Sequence, residues 1–358
     1  MKNIDLRSDT ITDPTDNIRE EMRNAIVGDD CFGDDRSVNE LQNYCKSFFN
    51  TEDALLTCGG TMSNQIALLA LTNAGDEVIL DASYHINFFE SGSSSRLAGV
   101  CFNLINTSDG IYNVDDLDKT INTKARWNNN YPHPKVICLE NTVGSKGGSV
   151  FSLDQIKEIS RYAKQRDIFL YLDGARILNA SAYSNIHPSE YLRYIDGMSM
   201  CFSKGLCAPL GSIMVGKKSF IDSARKYRKW IGGDMHQFGV VAAPAHYALK
   251  HHWELVGDDN DKMNAIYHSL CGLDGVDLIY HGTNMMYIST ESLGTTAQDF
   301  VAMAEDKGLK MIAWDNDKVR LVTHYHVKEE DVLVVSHILR EIIVYYQEQM
   351  TLTSEYSL

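Results

Sequence analysis

The chain has 358 residues, a formal net charge of −15 and a hydrophobic fraction of 44%, which is typical of a soluble globular protein with one large and one smaller domain. The negative charge argues against nucleic acid or an anionic membrane as a partner, since either requires a basic face. The amino terminus lacks the apolar region of a signal peptide, no stretch is apolar enough to span a membrane, and the eight cysteines are scattered singly, so we expect a reduced, cytoplasmic protein.

The first informative element in chain order runs from Leu55 to Leu69. Its apolar residues break at Gly59 and Gly60 and resume with leucines at helical spacing, which predicts a strand, a glycine turn and a helix. Such a turn exposes backbone N–H groups at the positive end of the helix, and Thr61 adds a hydroxyl. We expect Gly60 and Thr61 to hold a phosphate; an ordinary glycine connection is the alternative.

Short apolar runs flanked by polar turns continue along the chain and indicate a mainly parallel sheet covered by helices. A predicted crossover helix, Ser152 to Gln165, lies between two of them and opens with Ser-Leu-Asp, a capping pattern. The predicted strands are Val78–Leu80, Val136–Leu139, Ile168–Leu172, Gly197–Phe202 and Ser212–Val215. Ligands of such sheets bind at the carboxyl ends of the strands, where Glu140, Asp173 and Ser203 are predicted to lie.

The pattern changes after the alanine-rich stretch Val240 to Leu249. Strand-like segments then alternate with helical ones, and the final residues, 351–358, are predicted to be a loose tail. We therefore predict a large domain over residues 1–250, including an N-terminal arm, and a smaller α+β domain over residues 251–358. The predicted strands are Val276–Tyr280, Met285–Ser289 and Val319–Thr323, and the predicted helices are Ala297–Lys307 and Glu329–Glu348.

Lys204 and Asp173 are the most informative pair of residues in the chain. Lys204 stands among small residues after an apolar strand, and Asp173 closes a strand that is predicted to be buried. A pyridoxal phosphate (PLP) enzyme needs such a lysine to form a Schiff base with the cofactor aldehyde, and such a carboxylate to keep the pyridine nitrogen protonated. Taken singly, a lysine beside glycine is more often part of a surface turn, and a strand-end aspartate more often caps a helix.

A series of short motifs occurs in the order found in the L-threonine aldolases. It comprises Asp5 to Thr10, Gly28-Asp29-Asp30, Phe32 to Asp35, Gly60-Thr61-Met62, Glu140-Asn141-Thr142, Asp173 to Arg176, Ser203 to Leu206, Gly232-Gly233 with Gln237, and Arg320 to His324. The chain thus resembles the aldolase and β-eliminating lyase family of aspartate-aminotransferase-like PLP enzymes. This resemblance implies the PLP-dependent transferase fold (fold type I), with a seven-stranded, mainly parallel sheet.

The resemblance also implies roles for individual residues. Gly60, Thr61 and Ser203 would bind the phosphate, Lys204 would bond to the cofactor aldehyde, and Asp173 would pair with the pyridinium nitrogen. Arg176 would lie at the cofactor and, with Ser8 and Arg320, would bind the substrate carboxylate. His85 would stack on the cofactor ring, and either His85 or a water that it positions would accept the proton of the substrate hydroxyl. From the sequence alone, a lone arginine such as Arg320 more often lies on a solvated face, and a histidine such as His85 can simply pack in a loop.

The implied reaction is reversible cleavage of L-threonine, L-allo-threonine or a related β-hydroxy-α-amino acid into glycine and an aldehyde. One alternative is another PLP-dependent lyase reaction, on a bulkier β-hydroxy amino acid or by β-elimination, and a distant one is a non-catalytic interaction module. Family resemblance implies a homodimer or homotetramer with shared active sites. No clustered ligand pattern argues for a metal ion.

Five departures from the family pattern bear on the substrate. Val143 follows Glu-Asn-Thr where many members have histidine, so one potential contact to the substrate hydroxyl is missing. The others are Phe32 for tyrosine, Arg36 for proline, Tyr171 for histidine and His236 for arginine. We expect these changes to affect the accepted aldehyde, the discrimination between threo and erythro substrates, or the preferred reaction.

Overall fold

The computed structural model describes residues 3–123, 130–273 and 275–355. Thirteen strands lie in this part of the chain: β1 Ile4–Asp5, β2 Asp53–Thr57, β3 Glu77–Asp81, β4 Cys101–Ile105, β5 Pro134–Glu140, β6 Phe169–Asp173, β7 Gly197–Cys201, β8 Ser212–Gly216, β9 Asp277–Tyr280, β10 Met285–Ser289, β11 Leu309–Lys310, β12 Ile312–Ala313 and β13 Lys318–Val322.

Fourteen α-helices lie among the same described residues. They are α1 Asp16–Arg23, α2 Arg36–Phe49, α3 Gly60–Leu71, α4 His85–Phe88, α5 Ser93–Leu97, α6 Val114–Asn122, α7 Leu153–Gln165, α8 Ile177–Ser184, α9 Pro188–Leu192, α10 Lys218–Trp230, α11 Gly239–His252, α12 Val256–Leu270, α13 Ala297–Asp306 and α14 Glu329–Glu355.

Seven strands form the large sheet, in the spatial order β2, β8, β7, β6, β5, β3 and β4. β8 runs antiparallel to both of its neighbours, and the other strand pairs are parallel. The predicted mainly parallel, seven-stranded sheet is therefore confirmed, and it contains the strand predicted before Gly59 as well as the other five strands predicted in the first 250 residues.

The inner strands of this sheet end together at one edge, which creates the place for a ligand. β5 and β6 pair in a register that sets Glu140 beside Asp173, so two carboxylates stand at adjacent strand ends. The crossover helix α7 connects these strands, and its N-cap Ser152 forms a capping box with Gln155, as the Ser-Leu-Asp pattern predicted.

The second sheet has four antiparallel strands in the order β12, β13, β10 and β9. It packs with α12, α13 and α14 around a hydrophobic core separate from that of the large sheet, which confirms the expected smaller α+β unit. Ile4 and Leu6 from the N-terminal arm are buried in this second core, because β1 pairs in parallel with β11. The domain boundary at residue 250 stays a prediction.

The structure corrects one prediction at the carboxyl terminus. Residues 351–355 continue α14 to Glu355 and are not a loose tail. Their sequence has no apolar periodicity of its own, so the helix continues from the preceding turns, in which the last buried residues are Ile342 and Ile343. No helix in the described part of the chain combines the length and apolar character needed to cross a membrane.

Candidate active site

A cavity of about 520 Å³ lies at the carboxyl edge of the large sheet, where the second sheet approaches it. The residues predicted from the sequence all line it, although they come from distant parts of the chain. They are Ser8, Gly60, Thr61, His85, Asp173, Arg176, Ser203, Lys204 and Arg320.

Lys204 and Asp173 reach this cavity from the ends of neighbouring strands, β7 and β6. Asp173 is buried, and its two carboxylate oxygens accept hydrogen bonds from Asn64 Nδ2 at 2.7 Å and from the Ala175 backbone N–H at 3.1 Å. The Lys204 carbonyl accepts a hydrogen bond from the Thr12 hydroxyl at 2.9 Å. No hydrogen bond or ion pair of the Lys204 ammonium is found among the described residues, so the amine is available to a ligand.

The glycine turn forms the N-terminus of α3, as predicted. The N-cap residue Gly59 offers no side-chain hydrogen bond to the first turn of the helix, which leaves backbone N–H groups for an anion. A Cβ on Gly60 would lie only 2.9 Å from Cys201 Sγ, so there is little space for a side chain at this position. Together with the strand-end lysine and carboxylate, this donor set fits a phosphate-bearing pyridine aldehyde such as PLP.

Arg176 lines the cavity but already has an acidic partner. Its Nε and Nη2 donate to the two carboxylate oxygens of Asp9, at 2.7 and 2.6 Å. Burial alone would raise the pKa of Asp9, but the Arg176 charge and hydrogen bonds lower it to about 2. The pair joins the N-terminal arm to the large sheet, and only the remaining N–H groups of Arg176 are left for a ligand.

Arg320 reaches the cavity from β13 of the second sheet. Its guanidinium lies 4.5 Å from the centre of the Trp314 ring and donates one hydrogen bond, from Nη2 to the Arg7 carbonyl at 3.1 Å. Its Nε is buried without a hydrogen-bond partner, and no acidic side chain pairs with it in the described part of the chain. Arg320 is half-buried and lines the cavity, so its cation is suited to an anionic ligand group.

His85 begins α4 and is held from both its backbone and its ring. Its backbone N–H donates to Glu140 Oε2 at 2.7 Å, and its Nδ1 lies 2.9 Å from Glu90 Oε1. The ring also stacks on Phe89, with centroids 5.5 Å apart. Burial acts to lower the pKa of His85, but the hydrogen bond to Glu90 and the charges of Asp173, Glu90 and Glu140 raise it overall.

Glu140 is a second buried carboxylate beside His85. Besides the His85 backbone, it accepts a hydrogen bond from the Gly144 backbone N–H at 2.8 Å. Burial and the neighbouring charge of Asp173 raise its pKa to about 7, although both hydrogen bonds act in the opposite direction. Glu140 and Asp173 are thus two carboxylates that line the cavity beside His85.

The five departures from the family pattern occupy different environments. Val143 is fully buried and does not line the cavity, and Tyr171 is buried and donates from its hydroxyl to Asn64 Oδ1 at 2.8 Å. Phe32 is 83% exposed, His236 bonds to Asp29 at 2.6 Å on the surface, and Arg36 pairs with Glu40 one helical turn away. Their effects on the substrate stay predictions.

The sequence did not identify several residues that complete this site. Asp9 lies in the motif Asp5 to Thr10, but the sequence predicted no role for it. The others, Asn64, Glu90, Phe89 and Trp314, carried no signal, because their contacts join segments far apart in the chain. Asn64 and Asp173, for example, are separated by 109 positions.

Two groups of side chains in the described part of the chain have ligand atoms close enough together for a cation. In His85, Glu90 and Asp173, amide donors already occupy carboxylate oxygens. In the surface group of Asp29, Cys31 and His236, the Lys229 ammonium lies 3.9 Å from the thiol of Cys31. Neither environment favours a metal over the donors already present.

A large parallel sheet with a strand-end lysine, a buried aspartate and a free helix N-terminus defines the class of fold type I PLP-dependent enzymes. Solved structures agree with this fold. A Leishmania major threonine aldolase superposes with a TM-score of 0.82 at 18% identity, covering 95% of this chain and 99% of that one. A Sphingomonas wittichii serine palmitoyltransferase superposes with a TM-score of 0.74 at 15% identity, covering 96% and 88%.

The sequence comparisons are more specific. The model of the beta-eliminating lyase family matches residues 5–291, and the chain belongs to this family of PLP-dependent lyases. It is 34% identical to low-specificity L-threonine aldolase 1 of Arabidopsis thaliana, covering 93% of this chain and 94% of the relative. It is 33% identical to the low specificity L-threonine aldolase of Escherichia coli K12, covering 93% and 97%.

Proposed function

We propose that this protein is a PLP-dependent aldehyde-lyase that reversibly cleaves L-threonine, L-allo-threonine or a related β-hydroxy-α-amino acid to glycine and an aldehyde. The observation that carries the proposal is one cavity in which a buried aspartate and a half-buried arginine meet a lysine that has no ion pair among the described residues. The similarity to L-threonine aldolases over 93% of the chain supports the choice of reaction.

The cofactor would be held by groups from three strand ends. The N-terminus of α3 at Gly60 and Thr61 would bind the phosphate, with Ser203 beside it. The Asp173 carboxylate would accept a hydrogen bond from the pyridine nitrogen, and the Lys204 amine would bond to the aldehyde. When bound, PLP supplies an electron-accepting ring that allows a bond to the amino acid Cα to break.

The substrate carboxylate would lie between the N-terminal arm and the second sheet. Arg320 would supply the main charge through the part of its guanidinium that lines the cavity, and this group is held against Trp314. The Ser8 hydroxyl and the free N–H groups of Arg176 would add further hydrogen bonds. Fixing the carboxylate selects the orientation of the substrate and therefore which bond to Cα is cleaved.

His85 would take the proton of the β-hydroxyl on Nε2 as the bond between Cα and Cβ breaks. Because the buried Val143 offers no hydrogen bond to that hydroxyl, we expect weak discrimination between L-threonine and L-allo-threonine. Phe89 and Trp314, whose rings lie 5.0 Å apart at the cavity wall, favour one alternative, a bulkier β-substituent. The family assignment keeps β-elimination as the other.

We also propose a cytoplasmic homodimer or homotetramer with shared active sites. Exposed apolar side chains support an additional contact surface, among them Ile26 at 54%, Phe32 at 83% and Trp230 at 66% exposure. Such residues are more common at subunit interfaces than on the surface of a monomer.

The test of the function is acetaldehyde release from L-threonine and from L-allo-threonine by the purified, PLP-loaded protein. We expect release from both substrates, and loss of release in a Lys204→Ala variant. A protein that binds PLP but releases acetaldehyde from neither substrate would contradict the threonine assignment. Aromatic β-hydroxy amino acids and β-substituted alanines, assayed for aldehyde and for pyruvate, would then distinguish the two alternatives.

A further inference from the structure

Glu90 is a buried carboxylate next to the cavity, and none of the roles proposed above involves it. It follows α4, is 3% exposed, and its side chain has no solvent contact. Burying an ionised carboxylate is costly unless hydrogen bonds or charges compensate for it. Its partners therefore indicate what the residue does.

Three donors surround the Glu90 carboxylate. Oε1 accepts from Asn64 Nδ2 at 2.8 Å and lies 2.9 Å from His85 Nδ1, and Oε2 accepts from Gln65 Nε2 at 2.6 Å. The side-chain amides of Asn64 and Gln65 can only donate through these nitrogens. The carboxylate is thus held in one position, with one oxygen directed at the imidazole.

This contact determines which nitrogen of His85 is free. A carboxylate at Nδ1 requires a proton there, so Nε2 of the neutral ring carries the available electron pair. We propose that Glu90 is a positioning residue that keeps His85 in this tautomer and stabilises its protonated form, so that Nε2 can accept the substrate hydroxyl proton. The inference rests on the proposed function, because it gives His85 the proton transfer assigned above.

The same network connects His85 to Asp173. Asn64 Nδ2 has two hydrogens and donates one to Glu90 and one to Asp173, at 2.8 and 2.7 Å. Its Oδ1 accepts from the Tyr171 hydroxyl at 2.8 Å, which fixes the orientation of the amide. Tyr171, one of the departures from the family pattern, therefore supports both carboxylates through a single side chain.

The charges around His85 set the pH at which it can accept a proton. The acids that face it are Glu90 after its own helix, Asp173 at the end of β6 and Glu140 at the end of β5. The cations of the same cavity are Arg176, Lys204 and Arg320. Removing the Glu90 charge alone should lower the pKa of His85, so the basic form of the ring should persist to lower pH.

Glu90→Gln tests this with little change in shape. The amide oxygen can keep the bonds from His85 and Asn64, and the new NH₂ group would face Gln65. Gln65 can turn its amide so that Oε1, which is buried without a partner, takes the place of Nε2 and accepts a hydrogen bond from this NH₂ group. Nε2 lies 3.0 Å from Ser94 Oγ, and this hydroxyl can also donate to an oxygen in the same place. The variant thus removes the charge and retains a hydrogen-bonded network.

Two measurements on the PLP-loaded protein decide the outcome. The first is the titration of the His85 Cε1–H signal by NMR, assigned through its loss in His85→Asn. The second is the pH dependence of kcat/KM for L-threonine. In Glu90→Gln we expect a lower midpoint of the His85 titration, a shift of the acidic limb of the kcat/KM profile to lower pH, and a loss of turnover of about tenfold. Ser94→Ala, which removes one bond of the network but no charge, should leave both midpoints unchanged.

An unchanged NMR midpoint in Glu90→Gln would overturn the proposed role of Glu90. A lowered midpoint with an unmoved acidic limb would overturn the link to proton transfer. Failure of the proposed function is distinguishable, because the unsubstituted protein would then release no acetaldehyde at any pH, while the NMR titration would still report the contact between Glu90 and His85.

Discussion

At the scale of single residues, Arg320 is the strongest indication of an anionic ligand. Its half-buried guanidinium lines the cavity, and a charged hydrogen bond is worth roughly 1.5–3 kcal/mol. We therefore expect Arg320→Ala to lower kcat/KM for the amino acid by about 10- to 150-fold, with part of the loss in kcat because orientation is also affected. Steady-state kinetics would measure this.

Arg320→Lys is the matched control, since it retains the charge but not the planar fork or the same stacking on Trp314. We expect an intermediate loss in this variant. Normal kinetics in Arg320→Ala would contradict the carboxylate assignment.

The residues that could be predicted were those with recognisable chemistry beside a recognisable break in structure. Lys204 and Asp173 follow apolar strands, and Gly60 interrupts an apolar run. Asp9 and Glu90 could not be assigned in this way. Their roles depend on partners brought together by the tertiary fold, and 167 positions separate Asp9 from Arg176.

At the scale of elements, the turn between β2 and α3 is the segment most sensitive to a small change. In Gly60→Ala the new Cβ would lie 2.9 Å from Cys201 Sγ, so either this sulfur or the helix N-terminus must shift. We expect weaker retention of PLP, measured by equilibrium dialysis and by the cofactor absorbance.

Gly60→Ala combined with Cys201→Ala separates two causes of that loss. Recovery of PLP binding in the double variant would attribute the loss to the sulfur contact, as we expect. No recovery would mean that the methyl group obstructs the ligand itself, and unchanged binding in Gly60→Ala alone would contradict both explanations.

The elements themselves were largely predictable where apolar periodicity and caps coincide. α7 begins after Ser152 as the capping pattern predicted, and the buried strands of the large sheet were recognisable from their apolar runs. The two-residue strands β1 and β11 were not recognised. Strands this short are defined by their partner and not by local sequence.

At the scale of the whole molecule, buried acids should make stability depend on pH. Burial is the main cause that raises the pKa of Asp259 to about 7, from a usual value of 3.8. Between these values the folded state binds more protons than the unfolded state, so stability falls as pH rises. Glu140 acts in the same direction.

We therefore expect a lower free energy of unfolding at pH of about 8 than at about 5.5, and a smaller difference in Asp259→Asn. Urea denaturation at the two pH values would measure it. Asp154→Asn is the control. Lys157 lowers the pKa of this exposed acid, so Asp154 changes its protonation state only at pH values below the two that are compared. An undiminished difference in Asp259→Asn would contradict the assignment to that carboxylate.

The exposed apolar surface leads to a prediction about assembly. If Phe32 lies in a subunit contact, Phe32→Arg should shift the mass measured by light scattering toward that of a 40.2 kDa monomer. Lys157→Ala, on an exposed helix surface, should leave the mass unchanged. A monomeric unsubstituted protein would contradict the proposed shared active sites.

The pairing of β1 with β11 has a consequence for how the protein is made. Ile4 and Asp5 find their strand partners only at Leu309 and Lys310, so during translation the strand that leads into Ser8 and Asp9 stays unpaired until most of the chain has left the ribosome. The residues of the large sheet all precede that point, but Trp314 and Arg320, which line the cavity, come after it. A nascent chain stalled before residue 309 would therefore hold a folded sheet with an unfinished catalytic centre.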